Sequence, residues 1–462
     1  MNNIWTRPVY TKDLEVMLGD PKRAVLVMTL PLILSYAISQ INMFADTAWC
    51  AGLGSDASTA LSTIIPYYWL ISGIGTGIGI GAAASIARHL GRDESKEAES
   101  MVSQTIVLSL AIGIIITIPY LLSLRPLMDA MSAGDVEGYC RDYIVPVILS
   151  STVYVLNGAV AGLLRAEGAA KKSMIMLIFA AVFNIILDPV LIYGADLGLV
   201  GAGLATSIAT LMSTLLGLYW FLSGKMYLRI SFKGFRVRWD QMRDVLAVGL
   251  PRMVEVFFIC FLSVCQRVIL IPKLGVMSSA MYNVPWSFVT LVLVISQASA
   301  AALVPVASAA FGVKDADKAD AAFRYITRIA FVSMSLIALV LFVFADQAVI
   351  IFSLDPSLEP YRDMYAYGLR VYMLCIPFMA VMDMGGALLQ ALRRARIPMY
   401  TAFIRNIILI TLIVLSTTME EVFWSVFVIE VIGGSLNLIL SRWSFRRYRR
   451  FVSSPPAQGT AS

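Results

Sequence analysis

Residues 57–87 read ASTALSTIIPYYWLISGIGTGIGIGAAASIA, without one charged side chain. A helix of about 20 apolar residues spans the hydrocarbon core of a bilayer. In lipid each backbone N–H and C=O must be satisfied within its own segment, so this stretch is predicted to be a membrane-crossing helix. Similar blocks recur on either side of it. Ala24–Ala45, Met101–Leu124, Tyr143–Leu164 and Leu197–Gly224 also lack charge, and Ser173–Ala195 carries Asp188 alone. Past a basic stretch the pattern resumes at Val245–Pro272, Ala280–Ala310, Ile329–Ala345, Val371–Leu392, Ile397–Met419 and Val422–Ser441. The predicted fold class is all-α integral membrane, with twelve transmembrane helices arranged as six plus six. Composition agrees. Apolar residues make up 59% and charged residues 14%, against roughly 45–50% and 25% in soluble domains.

Several function classes are disfavoured. Met1–Arg23 is polar, so no cleavable signal peptide is expected there. Cys50, Cys140, Cys260, Cys265 and Cys375 form no Cys-x-x-Cys pair, which argues against a disulfide framework or a zinc site. His89 is the sole histidine and reads as a solvated loop residue beside Arg88; a metal enzyme usually needs more ligands. Gly73, Gly75, Gly77, Gly79 and Gly81 do not make a G-x-G-x-x-G loop after a strand and read as close helix packing by small residues. Without a Walker sequence, direct drive by ATP is not expected. No cofactor and no enzyme activity are expected. Most of the 36 Lys and Arg lie in alternate connections, from the N-terminus through Lys225–Arg243 to Arg442–Arg450. The opposite side holds Arg125, Arg141, Lys273, Arg362 and Arg370. The positive-inside rule then predicts both termini in the cytoplasm of a multi-pass plasma-membrane protein. Spread over many loops, the basic residues form no single patch for nucleic acid.

The chain repeats itself. A shift of 221 positions carries Leu53-Gly54 onto Leu274-Gly275 and Gly91 onto Gly312. A shift of 220 carries Leu30-Pro31 onto Leu250-Pro251, and one of 225 carries Leu163-Leu164 onto Leu388-Leu389. Six spans is an even number, so the copies run the same way through the membrane. Transporters built as parallel repeats place substrate between the halves and alternate access by rocking. The predicted organisation is an N-lobe (1–222), a cytoplasmic linker (223–243), a C-lobe (244–442) and a basic, disordered tail (443–462). Acidic positions break the repeat. Asp46 falls on Arg267, while Asn184 and Asp188 fall on Leu409 and Ile413. Packing alone gives no reason for an acid in one copy only, so these positions point to function.

An ionisable residue within a span costs at least ~2.5–3.5 kcal/mol at the helix centre and needs a partner or a purpose. Asn184 and Asp188 are four residues apart, on one helix face. Asp188 lies about 22 Å from the cytoplasmic end of its span, and Asp46 closes the first span at a similar depth. Burial and a neighbouring like charge both favour a protonated carboxyl, so the pair is suited to carry a proton; with amide and hydroxyl oxygens it is equally suited to hold sodium. The competing readings are a wet boundary residue for Asp46 and a helix-end acid before Pro189 for Asp188. Thr206 joins the candidate cation set. Tyr143 and Asn157 join the candidate substrate cavity. Hydrogen bonding between helices is the alternative for all three. In the second half Glu255 and Asp383 share a depth near the midplane and are candidate cavity acids, with neutralisation of Glu255 by Arg252 at i−3 as the alternative. Arg405 and Glu430 show no clear partner and read as structural.

Taken together, Asn42-Met-Phe-Ala-Asp46 followed by Leu53-Gly54, Leu164-Arg165-Ala-Glu-Gly168, Asn184-Ile-Ile-Leu-Asp188-Pro189, Gly249-Leu-Pro251 and Arg393 to Met399 resemble the multidrug and toxic compound extrusion (MATE) family. The resemblance runs from about Arg23 to Arg442. It implies two six-helix bundles facing a central cavity. The implied activity is export of amphipathic organic cations and drugs in exchange for protons or sodium, by a monomer. It also implies that the positions of Asp46, Asn184 and Asp188 form the N-lobe cation or proton site. Some relatives use acids on the helices of Glu255 and Asp383. Asp383 resembles their tenth-helix acid to within about a residue, whereas Glu255 sits about a turn early. Gly168-Ala-Ala-Lys-Lys172 and Arg394-Ala-Arg396 depart from the family pattern, both in loops. Arg252, Arg267 and Arg405 keep a second reading open, a flippase for lipid-linked precursors within the same superfamily. A membrane enzyme or sensor is a third reading, which the lone histidine and the absence of appended soluble domains disfavour.

Overall fold

The structure is a computed structural model and describes residues 10–130, 134–275, 277–352 and 359–453. All regular elements among them are helices. A short helix, α1 (Lys12–Leu18), precedes α2 (Pro21–Ala51), α3 (Ser55–Gly91), α4 (Ser95–Ala130), α5 (Glu137–Leu149), α6 (Ser151–Ala166), α7 (Ala170–Pro189) and α8 (Gly198–Leu222). The second half holds α9 (Trp239–Leu274), α10 (Met277–Gly312), α11 (Ala316–Val343), the four-residue α12 (Ala345–Ala348), α13 (Arg362–Ala391), α14 (Arg396–Leu415) and α15 (Met419–Ser453). Among the described residues eleven helices are long and apolar enough to cross a membrane, and the pair α5/α6, bent by 58°, makes twelve if it crosses as one span. Pro146 lies inside α5, one turn before the break at Ser150. A proline removes a backbone donor and crowds the preceding turn, which accounts for a bend at this point.

Two boundaries differ from the sequence reading. The predicted linker gives way to helix at Trp239. The predicted disordered tail is helical as far as Ser453, and residues 454–462 lie outside the described residues. Tertiary contacts account for the extra helix. Arg449 pairs with Asp317 at 2.8 Å, Arg442 pairs with Asp320 at 2.8 Å, and the Tyr448 hydroxyl donates to the Phe311 carbonyl. His89 also departs from its solvated reading: its Nδ1 lies 2.5 Å from a Glu94 carboxylate oxygen.

The glycines of α3 explain how the halves meet. Gly75 and Gly79 face α6, where a Cβ on Gly79 would come within 2.3 Å of the Gly158 carbonyl oxygen. Gly73, Gly77 and Gly81 face α9, where a Cβ on Gly81 would come within 2.1 Å of the Val245 carbonyl oxygen. Alternate glycines thus let α3 touch one neighbour in its own half and one across the midline. The seam continues toward the basic side, where a Cβ on Gly91 would meet the Ala309 carbonyl oxygen at 2.2 Å and one on Gly312 the Arg88 carbonyl oxygen at 2.3 Å. Arg393 to Asp244 and Arg88 to the Ala391 carbonyl add polar ties. The apolar core follows the same plan. At the basic end one core joins residues of both halves, including Ile86, Leu163, Val245, Val306 and Met384. Away from it are two separate cores, one around Ile64, Tyr143 and Ile148 and the other around Tyr282, Tyr372 and Phe423. The two halves are thus joined by a shared core at the basic end.

A buried carboxyl holds the connection after α8. Glu167, between α6 and α7, is 1% exposed and accepts the Leu228 N–H at 2.9 Å. Burial pushes it up to about 8, against the opposing pull of that hydrogen bond and of Lys172. The folded chain thus binds this proton more tightly than the unfolded chain. The stabilisation is complete below the ordinary glutamate range and is lost as pH rises through about 8. Glu167→Gln keeps an acceptor for Leu228 and removes the titration. The expected outcome is a melting temperature equal to the parent's near pH 4 or slightly below it, and higher than the parent's near pH 9. Parallel melting curves across that range would refute the assignment.

Candidate functional site

In the first half, α2 and α7 pack side by side and bring two matching motifs together. Each carries an asparagine four residues before an aspartate, Asn42/Asp46 on α2 and Asn184/Asp188 on α7. Four residues is about one helical turn, so each pair lines one face. The Asn42 amide donates to Asn184 Oδ1 at 2.9 Å, and the Asn184 amide donates to Asp188 Oδ1 at 2.9 Å. The carboxyl groups of Asp46 and Asp188 lie within electrostatic range of each other. Asn184 and Asp188 are buried and Asp46 is half-buried. Three buried oxygens of this chain of groups lack a hydrogen-bond partner, namely Asn42 Oδ1, Asp46 Oδ1 and Asp188 Oδ2. An unsatisfied buried polar atom costs ~1–3 kcal/mol and more if charged. Two carboxylates and an amide oxygen are hard donors of the kind that suits a proton or a hard cation.

The structure brings together three of the predicted cation residues, Asp46, Asn184 and Asp188, and adds Asn42. Asp188 lies one residue before the end of α7 at Pro189, yet its side chain is only 1% exposed. Thr206 is buried on α8 and donates to the Ala202 carbonyl of its own helix at 2.9 Å. Tyr143 is buried within electrostatic range of Asp46, Tyr68 and Tyr154, and the Tyr68 and Tyr154 rings meet edge to face at 5.6 Å. An aromatic wall thus stands beside the acid pair. Asn157 makes the interhelical hydrogen bonds of the alternative reading. Its amide reaches the Thr210 carbonyl, Ser213 Oγ and Thr214 Oγ1, all on α8, at 3.0–3.4 Å.

A family model, MatE, matches residues 31–190 and 251–415. The chain belongs to the MATE family. The two matched segments fall one in each half of the sequence. Among curated relatives, the multidrug export protein MepA of Staphylococcus aureus is 26% identical over 233 residues, 50% of this chain and 51% of that protein. MepA of Staphylococcus saprophyticus is 26% identical over 231 residues with the same shares. The alignment thus spans about half the length of these relatives. Solved structures match over nearly the whole chain. A MOP superfamily transporter from Pyrococcus furiosus, described as having a binding pocket of reversed polarity, gives a TM-score of 0.91 at 24% identity, covering 96% of this chain and 99% of that one. An outward-facing multidrug-resistance MATE transporter gives 0.91 at 23% identity, with 96% and 99% covered. At these identities the likeness is one of fold.

Within this MATE chain the second half carries its acids differently. Glu255 pairs with Arg252 at 2.8 Å, one turn away on α9, so the local-neutralisation reading describes it. Asp383 accepts from Ser296 Oγ at 2.5 Å and lies within electrostatic range of Arg252, Glu255 and Arg405. Glu255 and Asp383 thus share one neighbourhood, bridged by arginine. Arg405 and Glu430 do have partners, contrary to the sequence reading. They pair with each other at 2.9 Å between α14 and α15, with little of either side chain exposed. Arg267 reaches across the midline to Thr63 Oγ1 at 3.0 Å. The residue that sequence reasoning missed is Asn42, and the repeated Asn-x-x-x-Asp spacing was the signal that could have found it.

Proposed function

We propose that the chain is a secondary active antiporter that exports amphipathic organic cations in exchange for protons or sodium. Its two six-helix lobes, 1–222 and 244–442, alternate access to a cavity between them, and both termini lie on the cytoplasmic side of the plasma membrane. The observation that carries the reading is the linked set Asn42, Asn184, Asp188 and Asp46 with its unpartnered oxygens. A proton or sodium ion arriving there meets acceptors that have no other partner. Coupling requires the ion to bind one state of the transporter better than the other. A shared core at the basic end and separate cores beyond it fit a state that receives ions from the opposite side. The MepA relatives, multidrug export proteins by name, support the drug-export class. The flippase reading needs exposed cations for an anionic lipid precursor. Arg252 and Arg405 are each matched by a glutamate, and Arg267 by the Thr63 hydroxyl rather than an acid, so two of the three arginines favour the antiporter.

The experiment is uptake of an ethidium-like dye into inverted membrane vesicles under an imposed proton or sodium gradient. Uptake driven by one gradient is expected. Asp46→Asn should alter the pH or sodium profile as well as the rate, since titrations of interacting acids belong to the pair. Loss of one charged contact, ~1.5–3 kcal/mol, corresponds to about a ten- to hundredfold loss in ion affinity. Profiles identical to the parent's would reduce Asp46 to a boundary residue. Dye uptake indifferent to both gradients would remove the antiport reading.

A further inference from the structure

α15 does not stop where its apolar span ends. The span closes near Ser441, yet the helix continues to Ser453, about 18 Å further at ~1.5 Å per residue. This extension has two unlike faces. One is bolted to the protein by Arg442, Tyr448 and Arg449, with the Arg442 guanidinium also lying 4.7 Å over the Phe323 ring. The other carries a single stripe at helical spacing, Ile432, Leu436, Ile439, Trp443, Arg447 and Phe451. Positions three and four apart share a face, so this stripe runs unbroken from the membrane span onto the extension. It is exposed throughout: Ile439 is 63%, Trp443 53% and Phe451 77% accessible.

The order of side chains along the stripe matches the layers of a bilayer leaflet. Ile432 and Ile439 sit at hydrocarbon depth. Trp443 follows at the end of the span, the level at which tryptophan concentrates in membrane proteins. Arg447 comes one turn later, its guanidinium 5.7 Å over the Trp443 ring, with Arg446 exposed beside it. The acids of this corner are engaged elsewhere, Asp317 by Arg449 and Asp320 by Arg324 and Arg442. We propose that this face of the α15 extension binds the headgroups of anionic phospholipids in the leaflet on the basic side. A guanidinium offers a planar fork of donors matched to phosphate oxygens. Two such groups with no ion-pair partner among the described residues favour a headgroup of net negative charge over a zwitterionic one. The continuity of the stripe with the apolar surface of the span selects a lipid over a soluble anion, because the acyl chains and the headgroup are met in one register.

The test uses the intact protein in neutral detergent, with phosphatidylglycerol or phosphatidylcholine of equal chain length added. Retained lipid is counted by native mass spectrometry. The parent is expected to keep phosphatidylglycerol in preference. Each arginine near a membrane surface contributes about a fivefold preference, so R446Q/R447Q should lose about thirtyfold at low salt. R446K/R447K should keep most of it. Both side chains are exposed, and unchanged melting temperatures in the two variants would show that any loss is not unfolding. Equal retention of the two lipids by the parent would overturn the proposal, as would an undiminished preference in R446Q/R447Q. Competition by soluble glycerol phosphate as effective as that by the lipid would also overturn it, by assigning the arginines to a free anion.

Discussion

Asp188→Asn is expected to reduce gradient-driven export to the level of vesicles lacking the protein, while the variant remains folded and inserted. The substitution preserves shape. Asn184 donates to Asp188 Oδ1, and a carboxamide oxygen at that place accepts the same bond. What changes is the other oxygen, Oδ2, which lacks a hydrogen-bond partner in a side chain that interacts with Asp46. An amide nitrogen there donates to Asp46 permanently, imitating a proton that cannot leave. A transporter held in one protonation state has no ion-dependent shift between its conformations. The matched control is Ile413→Asn, at the repeat-equivalent position, buried on α14. It introduces an unsatisfied amide worth ~1–3 kcal/mol of stability and touches no acid pair. Its transport per folded molecule should stay near that of the parent. Dye uptake normalised to folded protein separates the two, and equal losses would remove the special role of the first half.

Arg405→Met is expected to be among the most destabilising single changes in the second half. It strands Glu430, which is 3% exposed, without the guanidinium at 2.9 Å. Breaking a buried ion pair from one side costs ~3–5 kcal/mol, whereas replacing both partners with apolar groups is often neutral or stabilising. The double variant Arg405→Met/Glu430→Leu should therefore recover most of the lost thermal stability. If it also keeps its transport, the pair is a tie between α14 and α15 and has no part in ion coupling. Detergent-solubilised melting curves of the two singles and the double form the required cycle. A double variant as unstable as the singles would mean that the cavity left behind, rather than the stranded charge, sets the cost.

The two expectations differ because the two sets of ionisable groups differ, and that difference was only half legible in the sequence. Asp46 and Asp188 stood out because a charge inside an apolar run is costly wherever it lies, a property of the run itself. Glu255 and Arg252 were also readable as a pair, being one turn apart on a single helix. Arg405 and Glu430 were not. They lie on different helices, and their meeting depends on how each is rotated about its own axis, which local spacing does not record. The same holds for Asn157, whose three partners all sit on α8, and for the meeting of Asn42 with Asn184 across α2 and α7.

The sequence by itself determined the class of molecule and the placement of its spans. In a bilayer the backbone has no solvent to bond with, so an apolar run of sufficient length has only one conformation open to it. Repeat offsets and the charge of alternate loops are likewise properties of the linear chain. The tertiary structure decided which charges are free and which are matched, which glycines join helices within a half and which join the halves, and how far α15 extends beyond its apolar segment. These outcomes rest on contacts between residues far apart in the chain, such as Arg449 with Asp317 or Gly81 with Val245. Their energy exists only once the helices have packed.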